Sequence, residues 1–455
     1  MSGLEQSRAK MRDAGQPEGA VAAFGRAYER LLAGDETMLA SEELEPLAGV
    51  PGLEELPAGA GALSAVASIK LNGGLATTMG LRSPKSLVEA REKRSFLEII
   101  IGQTRSLRAR HAIGLPLTLM DSEATHGATL AAVRRHGGLD QAIAVDFLQS
   151  MVPKLDAATL APISWPANPA LEWCPPGHGD VYGALARSGV LEALLEQGYR
   201  YAMIANADNL GAVPDERIAA HIAREGIPFL MEVVEGTAAD RKGGHVARRR
   251  ADGALVLRET AQTPPEDQES FRDHRRWRYY NTNSLWVDLR ELASTLERSG
   301  GVLELPLIVN PKTVDPRDPS SPRVIQLESA MGAAIGSFKA ARLLCVPRTR
   351  FVPVKTTDDL LLLRSDAYAL TASMSVEPVP ERAARLPLVA LDPRYYRLLA
   401  DFERRFPAGP PSLRDAERLT VTGDVTFGAD VVVRGAVALE ADQPERIADG
   451  TVLGS

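Results

Sequence analysis

Cysteine is almost absent from this sequence: the 455 residues include only Cys174 and Cys345. The two lie far apart and belong to no Cys-x-x-Cys or Cys/His cluster, so the sequence indicates neither a disulfide framework nor a zinc site of that kind. Such cysteine usage fits a reducing compartment, and we therefore expect a cytoplasmic protein.

Long apolar runs and an excess of positive charge are lacking too. No hydrophobic stretch reaches membrane-spanning length, and the polar N-terminus has no apolar core of a signal peptide. The formal net charge is −7, and the basic runs at 248–250 and 274–276 are short. These features argue against a membrane protein and a general nucleic-acid binder, so we expect neither kind of partner.

The glycine-rich stretch that follows Val66 matches neither G-x-x-x-x-G-K-[ST] nor G-x-G-x-x-G, which disfavours a P-loop kinase and a dinucleotide dehydrogenase. It is an apolar run that breaks into a loop with Gly73 and Gly74 and ends near Lys85. The run predicts a strand buried on both faces. The loop can bring backbone amides close to phosphate oxygens, and Lys85 adds positive charge there. A lone Gly-Gly pair, however, is more often an ordinary turn.

From Val66 onward, apolar strand-like runs alternate with amphipathic helical stretches, which predicts a mostly parallel sheet covered by helices. The glycine loop, Asp121 and the segment 206–208 each follow such an apolar run. Ligands of parallel sheets bind beyond the carboxyl ends of the strands. We therefore expect these three segments to meet at one edge of the sheet.

Other segments have their own patterns. Residues 1 to about 60 have helical spacing, and residues 240–273 are rich in charge and turn residues, which predicts surface loops and a small hairpin. Residues 181–194 and 324–338 are each predicted as one helix. The last forty or so residues carry glycine at roughly hexapeptide spacing, which predicts a small parallel β-helix.

Several polar side chains are candidates for a functional site. His178 lies in a glycine-spaced loop before a helix, where anions are favoured, but a lone histidine is more often structural. The Gln149 amide can pair with a donor and an acceptor of a base. Asp208 suits Mg²⁺ or a ribose hydroxyl, and a strand-end turn explains it equally well. Lys312 and Lys355 are candidate phosphate ligands, and the apolar run before Lys355 argues against a free surface position for that side chain.

The chain resembles one family in at least six segments, in the family's order, from about residue 65 to residue 440. KLNGGLATTMG with SPKS, PPGHGD and the segment around NADNLGA are similar to eukaryotic-type UDP-glucose pyrophosphorylases (UTP–glucose-1-phosphate uridylyltransferases). Two positions depart from the family pattern, since Ala76 stands where glycine is usual and Asp121 where asparagine is common.

The resemblance implies a fold of the α/β class. It consists of a Rossmann-like nucleotidyltransferase domain, with a mixed and mostly parallel sheet, and a C-terminal left-handed parallel β-helix. The expected division is a helical lead-in over 1–62, a catalytic domain over 63–385, and a linker with the short β-helix over 386–455.

The resemblance also implies roles for individual residues. Lys85 and Lys355 are expected to be catalytic, Asp208 to hold Mg²⁺, Gln149 to read uracil, and Met120 to pack on the nucleoside. The expected nucleotide-binding residues are Leu71, Asn72, Gly73, Gly74, Met120, Gln149, Gly177 and Asp208. Those expected to bind the sugar phosphate are His178, Asn206, Gly244, Glu259, Asn281 and Asn283, with Glu232 and Gly243 as further elements of that side.

By this resemblance the chain is expected to transfer the uridylyl group of UTP to glucose 1-phosphate, which gives UDP-glucose and pyrophosphate. One alternative is a broader UDP-sugar pyrophosphorylase that also accepts galactose 1-phosphate, because epimers differ in few hydroxyl contacts. Another is a catalytically weak UDP-sugar-binding regulator, against which both Lys85 and Lys355 argue. Longer family members continue past the β-helix with strands that pack subunits together, whereas this chain ends at Ser455 after polar residues, so we expect a monomer or a weak dimer.

Overall fold

Helices and strands alternate along the chain in the computed structural model, which describes residues 1–34, 38–81, 83–237, 240–241, 243–383 and 385–455. The α-helices are α1 (Gly3–Asp13), α2 (Glu18–Ala33), α3 (Phe96–His111), α4 (Glu123–Arg135), α5 (Val181–Arg187), α6 (Val190–Glu196), α7 (Glu216–Glu225), α8 (Gln268–Phe271), α9 (Leu289–Arg298), α10 (Thr357–Arg364), α11 (Pro393–Tyr396) and α12 (Leu399–Arg405). The strands are β1 (Leu44–Glu45), β2 (Val66–Leu71), β3 (Glu89–Arg91), β4 (Arg94–Ser95), β5 (Leu117–Asp121), β6 (Asp146–Leu148), β7 (Val152–Pro153), β8 (Leu155–Asp156), β9 (Trp173–Cys174), β10 (Tyr201–Asn206), β11 (Phe229–Glu235), β12 (His245–Arg249), β13 (Leu255–Arg258), β14 (Tyr279–Asp288), β15 (Ile308–Thr313), β16 (Arg323–Glu328), β17 (Arg342–Cys345), β18 (Tyr368–Leu370), β19 (Val376–Pro378), β20 (Leu388–Leu391), β21 (Ser412–Phe427), β22 (Val432–Ile447) and β23 (Val452–Leu453).

Parallel strands lie at the middle of the main sheet, where β10 pairs with β2, β2 with β5, and β5 with β6. Their apolar side chains are buried on both faces, as continuous apolar runs predict. Leu71 at the end of β2 lies between Met120 of β5 and Asn206 of β10. The glycine loop, Asp121 and Asn206 therefore meet at one edge of the sheet, which confirms the expectation from the alternating pattern.

Antiparallel strands extend this sheet beyond β10. Strand β14 pairs with β10 and β11, and β12 joins β14, β13 and β1. On the far side, β17 pairs in parallel with β11. The β12–β13 hairpin confirms the small hairpin expected within 240–273. The sheet is thus mixed, with a parallel centre, and the fold is of the mixed α/β class.

Helices cover the sheet through apolar faces, and α3 illustrates how the sequence fixes one of them. The Ser95 hydroxyl accepts from the Glu98 N–H at 3.2 Å, and the Glu98 carboxylate accepts from the Ser95 N–H at 2.7 Å. This reciprocal cap defines where α3 begins. Ile99 and Ile100 of the helix belong to the same core cluster as Leu119 of β5. None of the helices in the described ranges is long and apolar enough to cross a lipid bilayer.

Parallel strands also form the C-terminal part of the molecule, in the order β20, β21, β22, β23. Leu413, Leu419 and Phe427 of β21 are buried in the core cluster that includes α3 and α10. The Tyr396 hydroxyl donates to the Val425 carbonyl at 2.5 Å. This second sheet is therefore packed onto the first part of the molecule. The boundaries after residues 62 and 385 stay a prediction.

Two segments predicted as single helices are different in the structure, so both predictions are wrong. Residues 324–338 contain β16 followed by a 3₁₀ helix, Met331–Gly336. Val324 and Ile325 are β-branched and pair with β8 and β15, and this pairing outweighs the helical spacing. Residues 181–194 form two helices, because Gly189 has a φ of +78° and a left-handed residue ends a helix.

Candidate active site

The glycine loop after β2 is fixed at several points by hydrogen bonds. The Ser122 hydroxyl donates to the Gly73 carbonyl at 3.0 Å, and the Lys85 N–H donates to the Gly74 carbonyl at 3.2 Å. A Cβ atom placed on Gly73 would lie 2.7 Å from the side-chain nitrogen of Gln149. Glycine at position 73 therefore lets the Gln149 amide lie directly against the loop.

Two residues of the expected nucleotide set have side chains that are turned into the protein. Asn72 is 3% exposed, and its amide donates to Asp121 at 2.6 Å and to Thr129 at 2.9 Å. Met120 is 1% exposed and lies in the core beneath the sheet. The expectation that Met120 packs on the nucleoside is therefore wrong in this structure. The side-chain N–H groups of Asn72 are thus engaged within the protein, and its backbone N–H donates to the Met120 carbonyl at 2.8 Å.

Asp121, one of the two departures from the family pattern, is fully buried next to the glycine loop. Its Oδ1 accepts hydrogen bonds from Asn72, Thr125 and Thr129. Burial raises the pKa of Asp121 to about 7, although those three donors oppose the rise and the charge of Asp146 adds to it. An asparagine at this position would have no charge to bury, so the aspartate brings a carboxyl group where the family commonly has an amide.

Lys85 and Asp208 form an ion pair at the edge of the sheet. The distance from Nζ to Oδ2 is 2.7 Å, and each side chain is 20% exposed. Oδ1 of Asp208 is buried, and no residue that the structure describes hydrogen-bonds to it. The Asp208 carbonyl accepts from the Val354 N–H at 3.2 Å, which brings the neighbouring Lys355 to the same place. The Lys355 side chain is exposed, so the expectation that it is not a free surface group is wrong.

His178 is held by the 3₁₀ helix that follows β16. Its Nδ1 accepts from the Met331 N–H at 2.9 Å, so the neutral ring carries its proton on Nε2. Burial lowers the pKa of His178 to about 4, and the ring is therefore neutral at physiological pH. A neutral imidazole with Nε2–H free to donate suits a phosphate oxygen as its partner.

The loop before His178 needs glycine for a reason within the protein. Gly177 has a φ of +80°, and a Cβ atom there would lie 2.7 Å from the Ser329 backbone nitrogen. The Ser329 N–H donates to the Pro176 carbonyl at 2.9 Å, and the Gly179 N–H donates to the Ser329 carbonyl at 2.9 Å. These bonds fasten the loop to the end of β16, so Gly177 positions the His178 loop whether or not it also contacts a nucleotide.

Four of the residues expected on the sugar-phosphate side form one cluster. A Cβ atom on Gly244 would lie 2.7 Å from the carboxyl group of Glu259, and the Asn281 N–H donates to the Gly244 carbonyl at 3.0 Å. The Asn281 amide donates to the Asn283 side-chain oxygen at 2.8 Å. Burial raises the pKa of Glu259, while the positive charge of Lys355 opposes that rise. Amide and carboxyl groups of this kind suit the hydroxyl groups of a sugar.

The two halves of the site meet between β10 and β14. These strands pair antiparallel, with Ala205, the residue before Asn206, opposite Ser284, the residue after Asn283. A Cβ atom on Gly332 would lie 2.9 Å from the Asn281 amide nitrogen, and Gly332 belongs to the same 3₁₀ helix that holds His178. The structure thus brings the glycine-loop residues and the sugar-phosphate residues to one edge of the sheet.

Glu232 and Lys312 do not belong to this arrangement. Glu232 is fully buried and accepts from Arg350 at 2.6 Å and 2.7 Å and from Trp286 at 2.8 Å. Its carboxylate is already satisfied, so the expectation that Glu232 faces the sugar is wrong. Lys312 is exposed on β15, and the structure gives no support for it as a phosphate ligand.

Lys70 is a buried charge that the sequence analysis missed. It is 2% exposed in β2, and its ammonium donates to the Ala212 carbonyl. Burial and the charge of Arg350 lower the pKa of Lys70 to about 7, while the charges of Glu232 and Asp208 oppose this. The signal was present in the sequence, because a lysine within an otherwise apolar strand requires a specific partner.

The glycine loop and its ion-paired lysine lie at the carboxyl edge of the parallel strands, and the polar cluster of Gly244, Glu259, Asn281 and Asn283 lies at the neighbouring strand β14. This is the arrangement of a nucleotidyltransferase that acts on a sugar phosphate. The sequence model of the family described as UTP–glucose-1-phosphate uridylyltransferase matches residues 21–434. The chain therefore belongs to the UTP–glucose-1-phosphate uridylyltransferase family.

Individual relatives agree with this assignment. A probable UTP–glucose-1-phosphate uridylyltransferase of Schizosaccharomyces pombe is 39% identical over 398 residues, which cover 86% of this chain and 76% of the relative. The UTP–glucose-1-phosphate uridylyltransferase of Solanum tuberosum is 39% identical over 425 residues, which cover 92% of this chain and 86% of the relative.

Solved structures have the same fold. The structure of a UDP-glucose phosphorylase from Trypanosoma brucei matches with a TM-score of 0.92 at 39% identity and covers 99% of this chain and 98% of that one. A UDP-glucose pyrophosphorylase variant from Leishmania major in complex with UDP-glucose matches with a TM-score of 0.94 at 39% identity and covers 100% of this chain and 98% of that one.

Proposed function

We propose that this enzyme transfers the uridylyl group of UTP to glucose 1-phosphate. The observation that carries the proposal is the Lys85–Asp208 ion pair beside the glycine loop, whose Gly74 carbonyl accepts from the Lys85 N–H. A phosphate oxygen of glucose 1-phosphate bonds to the α-phosphorus of UTP while the bond from that phosphorus to the β-phosphate oxygen breaks. UDP-glucose forms, pyrophosphate leaves, and no proton has to move.

Because both reactants are anions, catalysis rests on positioning and on neutralising charge. The amides of the glycine loop and the Lys85 ammonium hold the triphosphate, and the exposed Lys355 reaches the same phosphates from the other side. Asp208 keeps the Lys85 ammonium beside the loop until phosphate oxygens take its place. The Nε2–H of His178 donates to the phosphate of the sugar, and the Gln149 amide pairs with the uracil edge.

Asp208 is also the proposed ligand of Mg²⁺. The donor set fits, because the buried Oδ1 has no hydrogen-bond partner within the described part of the chain. Mg²⁺ is commonly bound by one or two carboxylates together with substrate phosphates. When bound, the ion supplies further neutralisation of the triphosphate charge. Asp208 would then hold the ion, and the Lys85 ammonium would pair with phosphate oxygens.

Finer features of the molecule belong to the same proposal. We infer that β20 to β23 form a short left-handed parallel β-helix, because β21 and β22 pair in parallel with register shifts at which a coil can turn. The division into 1–62, 63–385 and 386–455 follows from this. Both cysteines are free thiols, which supports a cytoplasmic location, and we propose a monomer or weak dimer.

The test is an assay of pyrophosphate release from UTP and Mg²⁺ with a panel of sugar 1-phosphates. The expected result is a kcat/KM for glucose 1-phosphate well above that for galactose 1-phosphate. Equal values for the two epimers would support the broader UDP-sugar pyrophosphorylase. Binding of UDP-glucose without pyrophosphate release from any of these sugars would support the regulator and overturn the proposal.

A further inference from the structure

A group of three metal-ligating side chains lies behind the glycine loop. Asp121 ends β5, His126 is in the first turns of α4, and Asp146 begins β6, which pairs with β5. One ligand atom of each residue lies within 4.8 Å of the other two. Two neighbouring strands and the helix between them therefore converge on one point. None of the three residues belongs to the polar cluster of Gly244, Glu259, Asn281 and Asn283 or to the Lys85–Asp208 ion pair.

The buried carboxylate of Asp121 is incompletely satisfied. Its Oδ1 accepts three hydrogen bonds, whereas Oδ2 is buried and no described residue donates to it. A buried carboxylate oxygen without a donor is costly, and such groups in folded proteins usually face a water or an ion. Because Oδ1 is occupied, Oδ2 is the oxygen that Asp121 can offer to a cation.

The other two ligands are accessible from solvent. His126 Nδ1 lies 2.5 Å from Asp146 Oδ2, and their side chains are 44% and 13% exposed. The solvent side of the cluster is therefore the side of the His126 ring, whereas Oδ2 of Asp121 is its buried end. In the metal-bound state, Nδ1 would exchange its hydrogen bond to Asp146 for a bond to the ion.

We propose that Asp121, His126 and Asp146 form a binding site for a divalent transition-metal ion, with Zn²⁺ as the reference ligand. One imidazole and two carboxylates are a donor set for Zn²⁺ or Mn²⁺, because the imidazole nitrogen disfavours Mg²⁺ and Ca²⁺. Zn²⁺ bonds of about 2.0–2.2 Å place tetrahedral ligand atoms roughly 3.3 Å apart. Small side-chain rotations therefore bring the three ligand atoms from their present spacing into such a site.

Occupancy of the site would act on the nucleotide loop through hydrogen bonds that already exist. Oδ1 of Asp121 accepts from the Asn72 amide, and Asn72 directly precedes the glycine pair. Ser122, the next residue after Asp121, donates to the Gly73 carbonyl. An ion on Asp121 would hold the Asn72 and Ser122 hydrogen bonds in one arrangement. The site is therefore linked to the glycine loop, although its residues differ from the proposed Mg²⁺ ligand Asp208.

The test measures metal binding directly, on the full chain without an affinity tag. Equilibrium dialysis against micromolar Zn²⁺ in the presence of millimolar Mg²⁺ is followed by metal analysis, and Co²⁺ gives a visible absorption spectrum of the same site. We expect one Zn²⁺ per chain and a Co²⁺ spectrum of an N/O-ligated ion. His126→Ala should weaken Zn²⁺ binding by at least about 10-fold, since loss of a supporting contact alone costs 10–100-fold.

A matched control comes from the same helix. His136 lies just beyond the end of α4 and next to Glu98, and His136→Ala should leave the metal affinity unchanged. His126 is half-exposed, so its removal should leave the circular dichroism spectrum and melting temperature near those of the wild type. Asp146→Asn is the second variant and should also weaken binding. Absence of Zn²⁺ binding by the wild type, or wild-type affinity in His126→Ala, would overturn the proposal.

Discussion

At the scale of single residues, Lys85 provides the most direct test of the mechanism. Its ammonium is paired with Asp208 beside the glycine loop, where charge develops on the triphosphate. Lys85→Ala should lower kcat by roughly 10²-fold or more, which is the usual effect of losing one transition-state donor. The assay is pyrophosphate release, and Lys339→Ala on the exposed surface is the control. Turnover near the wild-type rate in Lys85→Ala would remove this residue from the mechanism.

A pair of variants can separate the observed contact of His178 with the Met331 N–H from its proposed contact with the sugar phosphate. Asparagine can accept from the Met331 N–H in place of Nδ1, but it lacks a donor at the position of Nε2. His178→Asn should therefore keep a melting temperature close to that of the wild type and lower kcat/KM for glucose 1-phosphate by ~10-fold or more. His178→Ala should lower both quantities, because the Met331 N–H loses its acceptor. Wild-type kcat/KM in His178→Asn would show that the histidine is only structural.

His245 predicts how stability depends on pH. The ring is fully buried and stacks on Trp277 at 4.7 Å, and burial together with Arg258 and Arg276 lowers the pKa of His245 to about 3. Below about pH 6.5 the His245 imidazole is protonated in the unfolded chain but stays neutral in the folded chain. This residue therefore lowers the free energy of unfolding as the pH falls towards 3.

The variant His245→Phe removes this proton linkage and keeps an aromatic ring in place. The free energy of unfolding falls when the pH is lowered from 7 to 5, and this fall should be about 2 kcal/mol smaller in His245→Phe than in the wild type. Urea unfolding at both pH values measures the difference, and His136→Phe at the end of α4 is the control. Equal losses in the wild type and His245→Phe would mean that His245 is protonated in the folded state.

At the scale of elements, the sequence predicts the strands that are buried on both faces of the sheet. Strands β2, β5 and β10 were predictable because a strand buried on both faces needs a continuous apolar run. Strand β16 could not be predicted in this way, because it pairs with β8 and β15 and its own local sequence does not indicate these partners. The break between α5 and α6 results from the left-handed backbone conformation of Gly189, which the spacing of apolar side chains does not predict.

The site shows the same division between local and distant information. The alternating pattern placed the glycine loop, Asp121 and the segment 206–208 correctly at one edge of the sheet, since each comes at the end of a buried strand. The directions of the Met120 and Glu232 side chains depend on which strands lie next to them, and both point into the protein. The strand sequence alone therefore left open which face each of these side chains would occupy.

The loop of Gly177 allows a prediction about an element rather than a side chain. Gly177 and Gly189 have similar φ angles of +80° and +78°, but only at Gly177 would a Cβ atom meet other protein atoms, those of Ser329 and Glu328. Gly177→Ala should displace the His178 loop and lower kcat/KM for glucose 1-phosphate by more than Gly189→Ala does. It should also lose more stability, because φ +80° with ψ +169° at Gly177 is a conformation that essentially only glycine adopts, whereas Gly189 with ψ −3° lies in the left-handed region. Equal kinetics in the two variants would show that the loop has room to adjust.

At the scale of the whole molecule, the exposed part of the C-terminal sheet bears on the prediction of a monomer or weak dimer. An outer strand of a sheet presents unpaired backbone groups, and proteins protect such edges with charged residues. Residues 440–446 of β22 are almost all exposed, and Glu440, Asp442 and Glu445 give this segment a local excess of negative charge. Leu388 of β20 and Val452 of β23 are exposed apolar residues of the same sheet.

Two copies that met through this surface would therefore oppose carboxylates of the same sign, in a chain whose formal net charge is already −7. Like charges placed opposite each other across an interface cost several kcal/mol, and this repulsion is greatest at low ionic strength. We accordingly expect a monomer, or at most a weak dimer, by light scattering at micromolar concentration and low salt. Raising the salt to about 1 M shortens the screening length to about 3 Å, which weakens the repulsion between carboxylates and favours association through this surface. The molar masses measured at low and at high salt are therefore compared directly. A stable assembly of four or more subunits at low salt would contradict the prediction and would place the contact on another surface, such as α1 and α2.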